Sequence, residues 1–83
     1  MKRFSIEIQR EKLQALLKRI RQDKGFRQVE LAERLGVPQS FVSKYESGDR
    51  RLDILEVRQI CNVVGISLEE FIRKLEDSLN EAK

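Results

Sequence analysis

The sequence has no histidine and a single cysteine, Cys61, among its 83 residues. These shortages exclude a disulfide framework within the chain, a cysteine-rich metal cluster and the histidine base that many enzymes use. Cys61 itself is expected to be a small buried core residue rather than a reactive thiol. We therefore expect no metal and no cofactor, and an enzyme is the least favoured class of function.

Long apolar runs are also missing. No segment approaches the ~18 apolar residues of a membrane span, and no signal peptide is visible, so we expect a cytoplasmic protein without a membrane partner. The length gives room for one domain with a small core, because a domain of this size buries only about 60% of the surface of its unfolded chain. We therefore expect no separate ligand-binding domain beside it.

Charge, in contrast, is plentiful and unevenly distributed. The chain has 17 Lys and Arg against 14 Asp and Glu, for a net charge of +3. Residues 1–27 carry nine basic and three acidic side chains, whereas residues 59–83 carry three and five. A basic N-terminal third suits a polyanionic partner, and an ordinary solvated face has the same composition, so charge alone leaves both interpretations open.

The spacing of apolar residues predicts an all-α chain with five short helices. Each of the four glycines falls where a helix would end or just beyond. Short helices joined by tight turns form a compact bundle. The predicted elements are helix 1 at 12–23, helix 2 at 28–35, helix 3 from Pro38 to about 47, helix 4 after an Asp53 N-cap, and helix 5 after a Ser67–Glu70 capping box.

Both ends of this domain are less regular. Within residues 1–10, apolar and polar side chains alternate from Phe4 to Gln9, which is typical of a strand but does not favour it over the alternatives. An N-terminal arm or an early start of helix 1 fits the same residues. The folded domain would span 11–76, and 77–83 would be a frayed helix end.

Helices 2 and 3 have the layout of a helix-turn-helix, in which a glycine turn joins two short helices and the second enters the major groove of DNA. At ~100° per residue, Val42 and Tyr45 face inward on helix 3, and the outward arc has no carboxylate. A merely solvated face would mix Glu with Lys. The side chains on the outward arc can all bond bases or phosphates; they are Gln39, Ser40, Ser43, Lys44 and Ser47.

Three side chains of the motif keep two interpretations each. Phe41 lies at the rim of helix 3, where it either touches a thymine methyl group or sugar, or seals the core. Glu46 falls on the inward side, where an unpaired carboxylate is costly, so it either pairs with Arg21 of helix 1 or lies exposed at a frayed helix end. Arg34 is either a surface charge or a phosphate contact.

Residues 25–48 resemble the phage-repressor and Cro type of regulators, also called the xenobiotic-response-element (Xre) family, and the resemblance extends over residues 13–71. It implies a lambda-repressor-like fold with the helix-turn-helix as helices 2 and 3. It also implies a double-stranded DNA operator as the partner. The positions in register with the family are Gln28, Leu31, Ala32, Leu35, Gly36, Ser43, Lys44, Glu46 and Gly48.

By position, the resemblance also implies roles for individual residues. Gln28 anchors a DNA phosphate with its side chain and the helix N-terminus. The loop after helix 3 meets the DNA backbone, which points to Arg50 and Arg51. The residues implied to face the bases are Gln39, Ser40 and Lys44, with Ser43 nearby.

The resemblance also supports a buried ion pair between Arg21 and Glu46.

The chain departs from the family at two positions. Arg27 stands where the family prefers Thr or Ser as an N-cap; it cannot cap amides as a hydroxyl does, but it adds a cation near the phosphates. Pro38 replaces a frequent Ser or Thr and removes a polar group from the DNA side.

These features and the resemblance together predict a sequence-specific transcriptional regulator, most often a repressor. The resemblance implies that it binds a palindromic operator as a homodimer, as many members of the family do. A second interpretation keeps the fold and adds a protein partner, as in the antitoxin of a toxin–antitoxin pair or the controller of a restriction system. A third, an adaptor without DNA binding, is disfavoured by the carboxylate-free arc. The apolar stripe at Leu75 and Leu79 is either a dimer contact or a cap on the bundle.

Overall fold

A computed structural model describes residues 5–80 of the chain. This part is all-α, as the sequence predicts, and contains no strand. The five helices are α1 (Ile6–Asp23), α2 (Gln28–Leu35), α3 (Gln39–Ser47), α4 (Ile54–Val64) and α5 (Leu68–Asn80).

Helix α1 begins at Ile6 rather than at residue 12, where its apolar stripe starts. The hydroxyl of Ser5 caps it by accepting a hydrogen bond of 3.2 Å from the backbone N–H of Ile8. The strand interpretation is therefore wrong for residues 6–9, and an early helix start is what the chain adopts there. Ile6 and Ile8 are 53% and 41% exposed, so their alternation marks no buried sheet face. Phe4 lies outside the described residues.

The turn between α2 and α3 depends on a glycine. Gly36 has φ 73°, in the left-handed region, and the N–H of Val37 returns to the carbonyl of Ala32 at 3.0 Å. This is the hydrogen bond that closes a Schellman motif at a helix C-terminus. Pro38 follows as the N-cap of α3 with φ −65°, which suits its ring. The turn is therefore short and sets the angle at which α3 leaves α2.

Helix α5 continues through Asn80, so residues 77–80 are helical, and 81–83 lie outside the described residues. The frayed helix end expected at 77–83 stays a prediction. The Ser67 hydroxyl accepts the backbone N–H of Glu70 at 3.0 Å at the start of this helix. Leu75 packs against the core and Leu79 is half-buried, which holds the last turns in place.

The core lies where the inner faces of all five helices meet. Helix α3 packs against α2 and α1, while α5 packs against α1 and α4. Burial raises the pKa of the Cys61 thiol to about 11, and the residue is a core residue as predicted. No described helix is long and apolar enough to cross a membrane. The buried apolar residues are Leu17, Ile20, Leu31, Ala32, Val42, Tyr45, Val57, Ile60, Cys61, Val64, Ile66 and Phe71.

Candidate nucleic-acid interface

The outer face of α3 is a polar arc open to solvent. Gln39, Ser40 and Lys44 are exposed, and Ser43 is half-buried. The hydroxyl of Ser43 donates back to the carbonyl of Ser40 at 3.2 Å, so it is directed along its own helix. We call Gln39, Ser40, Ser43 and Lys44 the recognition arc. Its four side chains can donate or accept hydrogen bonds, and none is a carboxylate.

Under the recognition arc, a buried ion pair ties α3 to α1. The Nε of Arg21 donates to Oε2 of Glu46 at 2.7 Å, and its Nη2 donates to Oε1 at 3.0 Å. The third donor, Nη1, reaches the carbonyl of Phe26 at 2.7 Å. Only 8% of the Arg21 side chain and 3% of the Glu46 side chain are exposed. Glu46 is thus a structural group at this interface rather than an exposed helix-end residue.

The same carboxylate also orients two glutamines. Gln28 donates its Nε2 to Oε1 of Glu46 at 3.0 Å. A carboxylate can only accept, so the Oε1 of Gln28 must face the other way, where it receives the Nε2 of Gln39 at 3.4 Å. The carbonyl of Gln39 is left for an outside donor. Gln28, expected to hold a phosphate, is therefore half-buried and engaged with two neighbours, with one amide hydrogen to spare.

The loop after α3 is held by Arg50. Its Nη2 lies 2.9 Å from Oε2 of Glu56, and its Nη1 donates to the carbonyl of Arg51 at 3.0 Å. The hydrogen bond from Arg50 holds the pKa of the Glu56 carboxyl below its usual value. The Arg50 guanidinium also lies over the Phe41 ring, 4.3 Å from its centroid. Of the two loop arginines expected to meet the DNA backbone, Arg51 is the exposed one.

Phe41 packs against the core, which favours its interpretation as a seal. Its ring meets Tyr45 edge-on with centroids 5.8 Å apart, and Arg50 covers its outer side. The Tyr45 hydroxyl is buried and has no hydrogen-bond partner among the described residues. Burial raises the pKa of this hydroxyl far above its usual value, so it stays neutral.

Arg27 occupies the start of α2 with its charge exposed. The N-cap is completed by Glu30, whose Oε1 accepts the backbone N–H of Arg27 at 2.8 Å. This bond lowers the pKa of Glu30. The Arg27 side chain is 77% exposed, and its Nε lies 3.5 Å from Oε1 of Glu30, so its guanidinium is open to solvent beside the N-terminal amides of α2. Arg34 lies over the Phe26 ring at 5.0 Å, which favours its interpretation as a surface packing residue.

Arg10 is a candidate that sequence reasoning missed. It is half-buried in the second turn of α1 and lines a shallow cleft with the loop residues Arg50 and Arg51. The sequence does not predict where Arg10 lies, because it leaves the conformation of residues 1–10 open. The signal that pointed toward it was the basic bias of residues 1–27.

The helix-turn-helix family model HTH_3 matches residues 17–71, about two thirds of the chain. The chain belongs to the Xre-type helix-turn-helix family. This confirms the resemblance seen in residues 13–71. Proteins of this family are DNA-binding transcriptional regulators, and that is the class of this Xre-family chain, with DNA as its partner.

Solved structures of similar chains agree with this assignment. The XRE-family like protein from Pseudomonas syringae pv. tomato str. DC3000 is 43% identical with a TM-score of 0.79, over 84% of this chain and 85% of that one. The clp gene regulator ClgR from Corynebacterium glutamicum is similar in two crystal structures. One is 28% identical (TM-score 0.78; 89% and 79% covered) and the other 30% (0.75; 86% and 91%). No curated protein matched the chain.

Proposed function

We propose that this Xre-family protein is a cytoplasmic, sequence-specific repressor that binds a palindromic double-stranded operator as a homodimer. The supporting observation is the recognition arc, which is polar, lacks carboxylates and rests on the buried Arg21–Glu46 pair. An arc of this kind fits the floor of the major groove, where donors and acceptors of the bases are displayed. A carboxylate at the same positions would be repelled by the phosphates.

Within the arc, Gln39 and Lys44 carry the base contacts in this proposal. Gln39 is already oriented by Gln28, and its free carbonyl and remaining amide hydrogen suit the N6 and N7 atoms of adenine. Lys44 is exposed and carries a positive charge, which suits the O6 and N7 acceptors of guanine. Ser40 is short and adaptable, and Ser43 contributes from the edge of the arc.

Phosphate contacts flank the arc on both sides. At the N-terminus of α2, the exposed Arg27 and the remaining amide hydrogen of Gln28 bind a phosphate, and the helix dipole there also favours an anion. In the loop after α3, Arg51 binds a second phosphate. Arg50 holds the loop through its ion pair with Glu56, and its guanidinium remains partly exposed. About six such contacts per complex give a slope of log K against log salt near −5.

The homodimer has a candidate contact at the start of α4. Ile54 and Leu55 are 56% and 71% exposed, and Leu55 has the largest exposed fraction among the exposed large apolar residues described. A second copy related by a two-fold axis would cover this pair and present two recognition arcs to a symmetric operator. The Leu75 and Leu79 stripe is half-buried, which favours its interpretation as a cap on the bundle.

Selection of bound duplexes from a random DNA pool tests the proposal. We expect an enriched palindrome with half-sites about one helical turn, ~10 base pairs, apart. Transcription in vitro from a promoter overlapping that sequence should fall as protein is added. A motif without symmetry would contradict the homodimer, a rise in transcript would contradict repression, and the lack of any enriched motif would contradict sequence-specific readout.

A further inference from the structure

The first turns of α1 form one wall of a shallow cleft, and the loop after α3 forms the other. Gln14 abuts the end of α3, because a Cβ at Gly48 would lie 3.3 Å from its Oε1. One helical turn before Gln14, Arg10 lies beside the loop. The cleft is lined by Arg10, Leu13, Gln14, Arg50, Arg51 and Leu52.

Both walls of this cleft are cationic. Arg10 comes from α1 and Arg51 from the loop, and no carboxylate of residues 5–80 lines the space between them. Arg50 is paired with Glu56, but neither Arg10 nor Arg51 forms an ion pair within residues 5–80. Two like charges that face one cleft repel each other until an anion lies between them. Guanidinium groups present forked donors that match the oxygens of a phosphate.

The position of the cleft points to the source of that phosphate. It adjoins the C-terminal end of α3, because Gln14 meets Gly48 on one side and Arg51 follows three residues later. When α3 lies in the major groove, the groups that border the groove at this end of the helix are backbone phosphates. A duplex therefore brings its own anion to the cleft.

We propose that Arg10, together with Arg51 and the Gln14 amide, binds a backbone phosphate of the duplex. The N-terminal turns of α1 then act as a clamp beside the recognition arc. This rests on the proposed function, because it requires α3 in the groove. A phosphate contact carries no base information, so the clamp fixes the register of the domain on the duplex and adds affinity for any sequence.

The test measures binding by fluorescence anisotropy to two duplexes, the selected operator and a scrambled duplex, over a series of salt concentrations. The variants are Arg10→Ala, Arg10→Lys and the control Arg73→Ala, which removes the same charge from an exposed position of α5. Arg10→Ala should weaken binding to both duplexes several-fold and reduce the salt slope by about 1. Arg10→Lys should restore part of the affinity. Arg73→Ala should match the wild type, and all melting curves should coincide.

Several results would overturn the clamp. Equal affinities and salt slopes for Arg10→Ala and Arg73→Ala would show that Arg10 binds no phosphate. A loss of affinity for the operator alone would indicate that Arg10 contacts a base. Thermal stabilisation of the wild type but not of Arg10→Ala by inorganic phosphate, with unchanged DNA binding, would assign the cleft to a free anion instead.

Lys44→Ala, measured in parallel, separates the two proposals. If it loses operator affinity while Arg10→Ala does not, the clamp alone is wrong. If the wild type itself shows neither salt-dependent binding nor a preference for the operator, the proposed function falls and the clamp falls with it.

Discussion

Replacing Glu46 by alanine should be among the most destabilising single changes in this domain. The substitution removes the acceptor of two hydrogen bonds from the Arg21 guanidinium and of one from Gln28. Arg21, whose side chain is 8% exposed, keeps only the Phe26 carbonyl as a partner among residues 5–80. Removing one member of a buried ion pair costs about 3–5 kcal/mol, because the other charge stays desolvated. The whole domain has about 4–12 kcal/mol of stability at typical values per residue.

Urea denaturation followed by circular dichroism measures this loss, and the melting temperature should fall by at least ~12 °C. The matched control is Glu76→Ala, an exposed carboxylate of α5, which should change stability by less than about 0.5 kcal/mol. Combining Arg21→Met with Glu46→Leu should recover part of the loss, since no buried charge is left unpaired. A loss below about 1 kcal/mol for Glu46→Ala, or a double variant less stable than it, would refute this reasoning.

Four further outcomes follow from the geometry. Lys44→Ala should weaken operator binding by about 1–3 kcal/mol in anisotropy titrations with an unchanged melting curve, and equal affinity would show that Lys44 does not contact a base. Tyr45→Phe should keep or slightly raise stability in urea, because it removes a buried hydroxyl that has no hydrogen-bond partner within residues 5–80; a loss above about 1 kcal/mol would reveal a partner outside them. Leu55→Glu should lower the molar mass measured by light scattering from dimer to monomer, and an unchanged mass would place the interface elsewhere. The pKa of Glu56 is lowered in the folded state, so this carboxylate adds to stability above its unfolded pKa of 4.5, and that contribution is lost as pH falls through the lower folded pKa. Glu56→Gln should therefore flatten the acid limb of a stability–pH curve, and an unchanged limb would contradict the Arg50 contact.

The helices could be predicted because their signals are local. The stripes of α2 and α4 repeat with the helical period, and Gly36 marks a turn that few other residues adopt comfortably. The start of α1 could not be predicted in the same way. Its cap is Ser5, but the third residue of the helix is Ile8 rather than the Glu or Gln of a capping box, so the cap was inconspicuous.

The candidate site was predictable in part for the same reason. Helical angles placed Lys44 outward and Glu46 inward, since both belong to one regular helix. The contacts between elements were not predictable from spacing. Arg50 looks like a free loop cation in the sequence, and its engagement with Glu56 and Phe41 depends on how the loop folds back over α3. Sequence spacing carries no information on that distance.

The hydrogen bonds from Glu46 through Gln28 to Gln39 have a consequence for the energetics of recognition. A flexible side chain that is ordered only on binding costs about 0.5–1.5 kcal/mol of conformational entropy. Gln39 has one exposed hydrogen bond of 3.4 Å to Gln28 before DNA arrives, so part of that cost is met during folding. This arrangement also makes sequence selectivity depend on the core. A substitution of Glu46 would free Gln28, and through it the Gln39 amide, which Glu46 itself does not contact. A substitution selected for stability could thereby alter which operator is read.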